Sequence, residues 1–348
     1  MTKQTQKTGD NSINVQAENI TIEQKGLTYA EVKDIALDVF KANFYHLVGV
    51  AEETVKKRAE EITEQFINEL KQRNPDGLKQ AEDPDFQYSL FSIQKDYAKT
   101  GDQELGNLLV DILVERSKEK QRNILQIVLN ESLKVAPKLT KDQLSALSII
   151  FILKYTRFLG MNSLDGLKFY VENRLSPFIH ELTESETCYQ HLSFAGCGAI
   201  SIGSVKIGKI FREHYPGIFS KGFSKEEIEK QKFEFESSVK AFVPCLHAND
   251  LSQVNAMDED AIRNGAQFSL VGENGKNKLV SLLKDKAMSE NEIEDYLKTN
   301  FKPMDNLLKI WNKTSMKNMS LSSVGIAIGH ANSRRVTGDN SHLSIWIK

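Results

Sequence analysis

Few residues of this chain stand at a spacing that chemistry requires. The stretch GSVKIGKI, residues 203–210, fits the pattern GxxxxGK. A loop of that pattern cradles phosphate on its backbone N–H groups, and a Ser or Thr after the lysine binds magnesium. Here Ile210 stands at the hydroxyl position, and Val205 and Ile207 suit a strand or helix better than an anion-cradling turn. Gly203, Gly208 and Lys209 are therefore weak cofactor-binding candidates, set against a glycine-spaced packing segment. Gly196, Gly198 and Gly203 make GxG-x4-G rather than the GxGxxG of a dinucleotide site.

Cys188-x2-His191, Cys197 and Cys245-x-His247 offer the ligand types of zinc, but as incomplete knuckles in an apolar stretch. Buried cysteines and hydrogen-bonded core histidines are the commoner outcome. Cys197 as a nucleophile would need His191 or His247 beside it in space. His330, between Gly329 and Ala331, reads as a hydrogen bond at a packing face. No H-E-x-x-H or paired-carboxylate arrangement singles out an acid. No catalytic residue is assigned, no cofactor or metal is expected, and an enzyme is the less favoured reading.

The elements around these residues read as mainly helical. At 348 residues two domains are the default. Apolar residues at 40% and charged residues at 26% make an ordinary soluble composition. A net charge of −2, from 45 basic and 47 acidic residues, gives no general attraction to nucleic acid or anionic lipid. No apolar run approaches the ~20 residues of a membrane span. The polar start MTKQTQKTGDNS lacks a signal-peptide core, and three cysteines make no disulfide framework, so a bacterial-type cytosol is expected.

From Tyr29 to Arg73 apolar residues recur at helical spacing, with Thr28 and Glu31 as a capping box. Between Phe44 and Phe66 the period is 22 residues over six steps, about 3.67. A continuous helix of about 45 residues is expected, with Gly49 the place for any bend. Further helices are expected at 84–99, 102–118, 121–135, 140–158 and 163–181, the fourth of them apolar nearly all round and so central. Past residue 183 glycines cluster and short β-prone pieces alternate with helices. A last helix near 323–335 ends in Arg334, Arg335 and Gly338, and Leu343, Ile345 and Ile347 suggest a final strand. The expected organisation is a β-prone arm at 1–26, a helical domain at 27–182 carrying the long helix 29–73, and a smaller mixed α+β domain at 183–348.

The string TGDNS occurs twice, at 8–12 and 337–341. After the first copy Ile13, Val15 and Ala17 alternate with Asn14, Gln16 and Glu18, the period of a strand. Amide-rich alternation of this kind suits stacked strands. Asn11, Ile13, Asn14, Val15 and Gln16 are the candidate self-association residues, against an edge strand within the same chain or a flexible tail.

The stretches 9–17 (GDNSINVQA), 26–44 and 323–348 (SVGIAIGHANSRRVTG followed by LSIWIK) resemble an uncharacterised family of bacterial cytosolic proteins. The N-terminal tag is also similar to short segments that precede varied domains in bacterial conflict and phage-defence proteins. There it looks like a self-assembly or adaptor element. The resemblance carries no catalytic motif. It implies a homo-oligomeric antiviral-defence or stress protein, a sensor, scaffold or effector whose partners are its own copies and a partner protein or phage-derived trigger. The alternatives are a nucleotide-dependent enzyme or effector using 195–209, and a nucleic-acid binder through a winged-helix-like unit at 289–335, which the near-neutral charge disfavours.

Overall fold

The computed structural model describes residues 27–43, 50–233, 240–339 and 341–348. The N-terminal arm, with Asn11, Ile13, Asn14, Val15 and Gln16, lies outside the described residues.

The first helices are α1 (Tyr29–Asn43) and α2 (Val50–Arg73). They are not one long rod but an antiparallel hairpin, which corrects the expected helix 29–73. The Lys71 ammonium lies 4.6 Å from the Tyr29 ring, Lys33 pairs with Glu64, and Phe40 packs with Val55 and Ala59. The physical reason is burial. The stripe Val55, Ala59, Ile62, Phe66 and Leu70 is covered by this chain's own α1, α3 and α4 rather than by a partner helix.

Three helices continue the stack: α3 (Pro84–Thr100), α4 (Gln103–Arg116) and α5 (Ile124–Val135). The Asp83 and Asp102 side chains accept from the first free N–H groups of α3 and α4, and Gly101, at φ 64°, ends α3. Helix α6 (Lys141–Tyr155) is buried from Gln143 to Leu153, the central position its apolar sequence predicts. Then come α7 (Leu164–Phe169), a π-helical turn, α8 (Ser176–Ile179), α9 (Glu186–Phe194) and the short strand β1 (Gly198–Ile200).

Helix α10 (Ile207–His214) leads into a smaller unit of α11 (Lys225–Lys230), β2 (Phe242–Pro244), β3 (Ser252–Val254), α12 (Glu259–Asn264) and α13 (Glu273–Asp285). This unit has its own apolar cluster, including Phe223, Val254, Ile262, Phe268 and Leu279. The chain returns through α14 (Glu290–Asn300), α15 (Lys302–Lys313) and β4 (Met319–Leu321), and β4 pairs antiparallel with β1.

The last helix, α16 (Ser323–Thr337), runs through the middle of the bundle against α4, α5 and α6. A Cβ on Gly329 would stand 2.8 Å from the Leu147 carbonyl oxygen, so only glycine lets α16 and α6 approach this closely. The main core therefore holds both Val32 and Ile347, and it spans both sides of residue 183. Residues 289–335 do not stand apart as a winged-helix-like unit, because α16 is central to this core.

Gly338, at φ 70°, ends α16 as the sequence suggests, and Asp339 accepts from Ser341 and pairs with Arg174 at 3.1 Å. The expected final strand is instead a 3-10 turn, Leu343–Ile345. Leu343 and Ile347 are both buried and are joined by a backbone hydrogen bond of 3.2 Å, while Ile345 faces solvent. Trp346 donates from Nε1 to the Tyr155 carbonyl at 2.7 Å, which fixes the turn against α6. Among the described residues no helix is long and apolar enough to cross a membrane.

Candidate functional site

The sequence feature most at odds with a closed helical core is the glycine-rich run after α9. Gly196, at φ 78°, turns the chain out of α9, and its carbonyl accepts from Ser322 Oγ at 2.6 Å. The chain then enters β1, in the register Gly198 with Leu321, Ala199 with Ser320 and Ile200 with Met319. Ser322 N–H donates to the Cys197 carbonyl and Ser201 N–H to the Asn318 carbonyl, each at 3.0 Å. In an antiparallel pair the backbone groups alternate in direction. Cys197, Ala199 and Ser201 thus face β4, and the N–H and C=O groups of Gly198 and Ile200 face outward. Those outward groups have no hydrogen-bond partner among the described residues.

The opposite edge of the ribbon is closed by side chains of α6. Lys154 Nζ donates to the Met319 carbonyl at 2.8 Å and to the Lys317 carbonyl at 2.9 Å. Leu321 N–H donates to the Tyr155 hydroxyl at 2.7 Å. Burial lowers the Lys154 pKa to about 8, and its ammonium sits 5.1 Å from the Trp311 ring. Unpaired edges invite further strands, and among the described residues this ribbon is capped on one side only. Beside the open edge three apolar side chains face solvent: Phe194 at 89% exposure, Ile200 at 38% and Ile202 fully.

The residues singled out for cofactor chemistry do not converge. Gly203 lies in an exposed turn whose carbonyl accepts from Ser201 Oγ and Asn318 Nδ2. Gly208 is packed on the Glu290 backbone, and its N–H donates at 3.1 Å to Glu294 Oε1, so a carboxylate stands where a phosphate would have to. Lys209 pairs along α10 with Glu213 and lines a cavity of about 620 Å³ with Arg157, Arg212 and Lys284. Five carboxylates, on Glu213, Asp258, Glu259, Asp260 and Glu290, share that cavity, so its field is not that of an anion site.

Cys188 and His191 lie on α9, Cys197 just before β1, and Cys245 and His247 beside the smaller unit's ribbon. Burial pushes the Cys188 thiol up to about 12 and the Cys197 thiol up to about 11, which keeps both protonated and poorly nucleophilic. His191 bonds through Nδ1 to the Gln143 side chain, and His247 Nε2–H donates to the Ile218 carbonyl at 2.7 Å. Cys245 donates to the Ser220 carbonyl. Among the described residues no three metal-ligating side chains are gathered together.

A second cluster escaped the sequence reading. Arg73 of α2, Lys118 after α4 and Arg334 of α16 all donate to Glu115 Oε1, at 2.9, 2.8 and 2.7 Å. Arg73 and Arg334 also reach Asp111, one turn earlier on α4. Burial alone would raise the Glu115 pKa, but Arg334 and Lys118 outweigh it and lower the carboxyl to about 2. The cluster floors a cavity of about 530 Å³. With the Glu115 carboxylate held ionised and its cations engaged, the cluster clamps three helix ends and offers no group poised for proton transfer. The sequence does carry a signal, in two carboxylates four apart inside the apolar run LLVDILVER.

No curated protein and no solved structure matches the chain. One family model does match, across residues 26–347, which takes in the ribbon, the ion cluster and nearly every described residue. The chain belongs to that uncharacterised family.

Proposed function

We propose that the protein is a homo-oligomeric assembly protein of a bacterial antiviral-defence or stress system, working through contacts between copies of itself. The observation that carries this reading is the ribbon edge at Gly198 and Ile200, open and flanked by Phe194 and Ile202 while its opposite edge is capped by Lys154 and Tyr155. Strand addition to such an edge combines main-chain hydrogen bonds with apolar burial. The defence setting rests on the likeness of residues 9–17 to tags of conflict proteins, and the scaffold, sensor or effector role follows from assembly. The apolar stripe of α2 is buried within the chain, so the contact between copies in this proposal lies at the ribbon instead.

Size-exclusion chromatography with light scattering tests this on the full chain and on a form lacking residues 1–25. The expected result is a mass of two or more chains for the first and of one chain for the second. A single-chain mass for both removes the proposal.

A further inference from the structure

We propose that the C-terminal turn, residues 341–348, is a latch that His330 opens when its ring gains a proton. The inference goes beyond assembly and stands without it.

The ring sits where a second proton finds no partner. His330 is buried on α16, with 2% of its surface exposed. Its Nε2–H donates to the Ser341 carbonyl at 2.8 Å, and its buried Nδ1 has no hydrogen-bond partner among the described residues. The Phe151 ring of α6 lies 5.7 Å away and nearly perpendicular, and the Trp346 ring of the turn lies 5.4 Å away. Those two rings are themselves 4.9 Å apart. Protonation would place an N–H on Nδ1 with no acceptor, and an unmet donor on a charged buried group is costly.

The charges around the ring do not cancel that cost. Arg334, one turn along α16, opposes the proton, whereas Glu115 of α4 and Asp339 favour it, and burial is the largest influence of all. Both carboxylates are already engaged, Glu115 by Arg73, Lys118 and Arg334, and Asp339 by Arg174. From α6 and from the turn the ring meets Phe151 and Trp346. His342, the turn's own histidine, is exposed, and its Nδ1 accepts from the Ser344 N–H.

What yields is the turn. Helix α16 is packed against α4, α5 and α6. The turn is anchored only by buried Leu343 and Ile347, the 2.7 Å bond from Trp346 Nε1 to the Tyr155 carbonyl, and the His330 bond itself. Segments with few anchors open locally at lower cost than the core. The neutral ring therefore suits the docked turn, and the protonated ring suits the open one, in which Nδ1–H reaches water. Docking lowers the ring's pKa, so the latch is closed above about 6.5 and opens as pH falls from there through the lowered value. Opening lifts Trp346 off Phe151 and frees the Tyr155 carbonyl. The Tyr155 hydroxyl also accepts from the Leu321 N–H, so the latch bears on a residue that caps the ribbon's β4 edge.

NMR on the full-length chain tests this. Exchange of the Trp346 indole N–H, assigned by its loss in Trp346→Phe, is followed from neutral pH downward and corrected for free indole at each pH. The expected result is a loss of protection that tracks the titration of the His330 ring, while far-UV circular dichroism shows no loss of helix. This comparison of two wild-type titrations needs no variant. His330→Gln keeps a donor for the Ser341 carbonyl and takes up no proton, so its protection should stay constant. His342→Asn keeps an acceptor for the Ser344 N–H and should respond as the wild type does.

Constant protection in the wild type down to the pH at which helix is lost overturns the latch. So does a loss of protection as steep in His330→Gln as in the wild type. Loss of helix in step with loss of protection also overturns it, because the bundle then opens as a whole. A response that vanishes in His342→Asn puts the deciding proton on the other histidine and removes the proposal.

Discussion

Replacing Glu115 by glutamine keeps the shape of the side chain and removes one charge at the meeting point of α2, α4 and α16. In the wild type that carboxylate accepts from Arg73, Lys118 and Arg334 and is held at a pKa of about 2, against an ordinary 4.5. The folded value lies below the unfolded one, so the stabilisation is fully present above the unfolded pKa and is lost as pH falls through the folded one. A difference of about 2.5 units at 1.36 kcal/mol each corresponds to roughly 3 kcal/mol at pH 7. At pH 3, where the unfolded carboxyl is already protonated, less than half of it remains. With an unfolding entropy of about 2.1 cal/mol/K per residue, 3 kcal/mol lowers the midpoint of a chain of 348 residues by about 4 °C. Thermal and urea unfolding of both proteins at pH 7 and pH 3 check this. A Glu115→Gln protein within about 0.5 kcal/mol of wild type at pH 7 would refute the clamp, as would a larger loss that does not shrink on acidification.

Three further outcomes follow from the core. Gly329→Ala places a Cβ 2.8 Å from the Leu147 carbonyl oxygen, and the displaced helix should cost about 1–3 kcal/mol in urea unfolding despite alanine's better helix propensity. Cys188 and Cys197, buried with thiols raised to about 12 and about 11, should resist a thiol reagent at pH 8 in the native protein and react once it is unfolded. Burial lowers the His330 pKa, its Nε2–H donates to the Ser341 carbonyl, and its buried Nδ1 has no partner among the described residues, all of which favour the neutral ring. Its folded pKa lies below the unfolded value, so stability should fall as pH drops below about 6.5 and on through the lowered pKa. His330→Gln should flatten that slope in urea unfolding.

Local signals in the sequence were strong where burial and capping act together. The Thr28–Glu31 capping box, the Gly338 stop and the apolar run at 144–153 all point to helices that the structure contains. Periodicity could not tell a rod from a hairpin between Tyr29 and Arg73, because the same stripe serves a partner helix from either chain. Nor could it distinguish a strand at 343–347 from a turn, since alternating apolar residues leave open which of them finds the core. Leu343 and Ile347 do, and Ile345 does not. The ion cluster joins residues more than two hundred positions apart, Glu115 and Arg334, and only the long-range packing of α16 against α4 brings them together. The open edge at β1 was hidden for a related reason. Gly198 and Ile200 become an edge because Lys154 and Tyr155 close the opposite side of the ribbon.

Amide hydrogen exchange at Ile200, followed in the full-length chain over a dilution series, tests assembly through the β1 edge most directly. The account predicts slow exchange at high concentration that quickens on dilution as copies separate. Exchange as fast as a free loop at every concentration would contradict it.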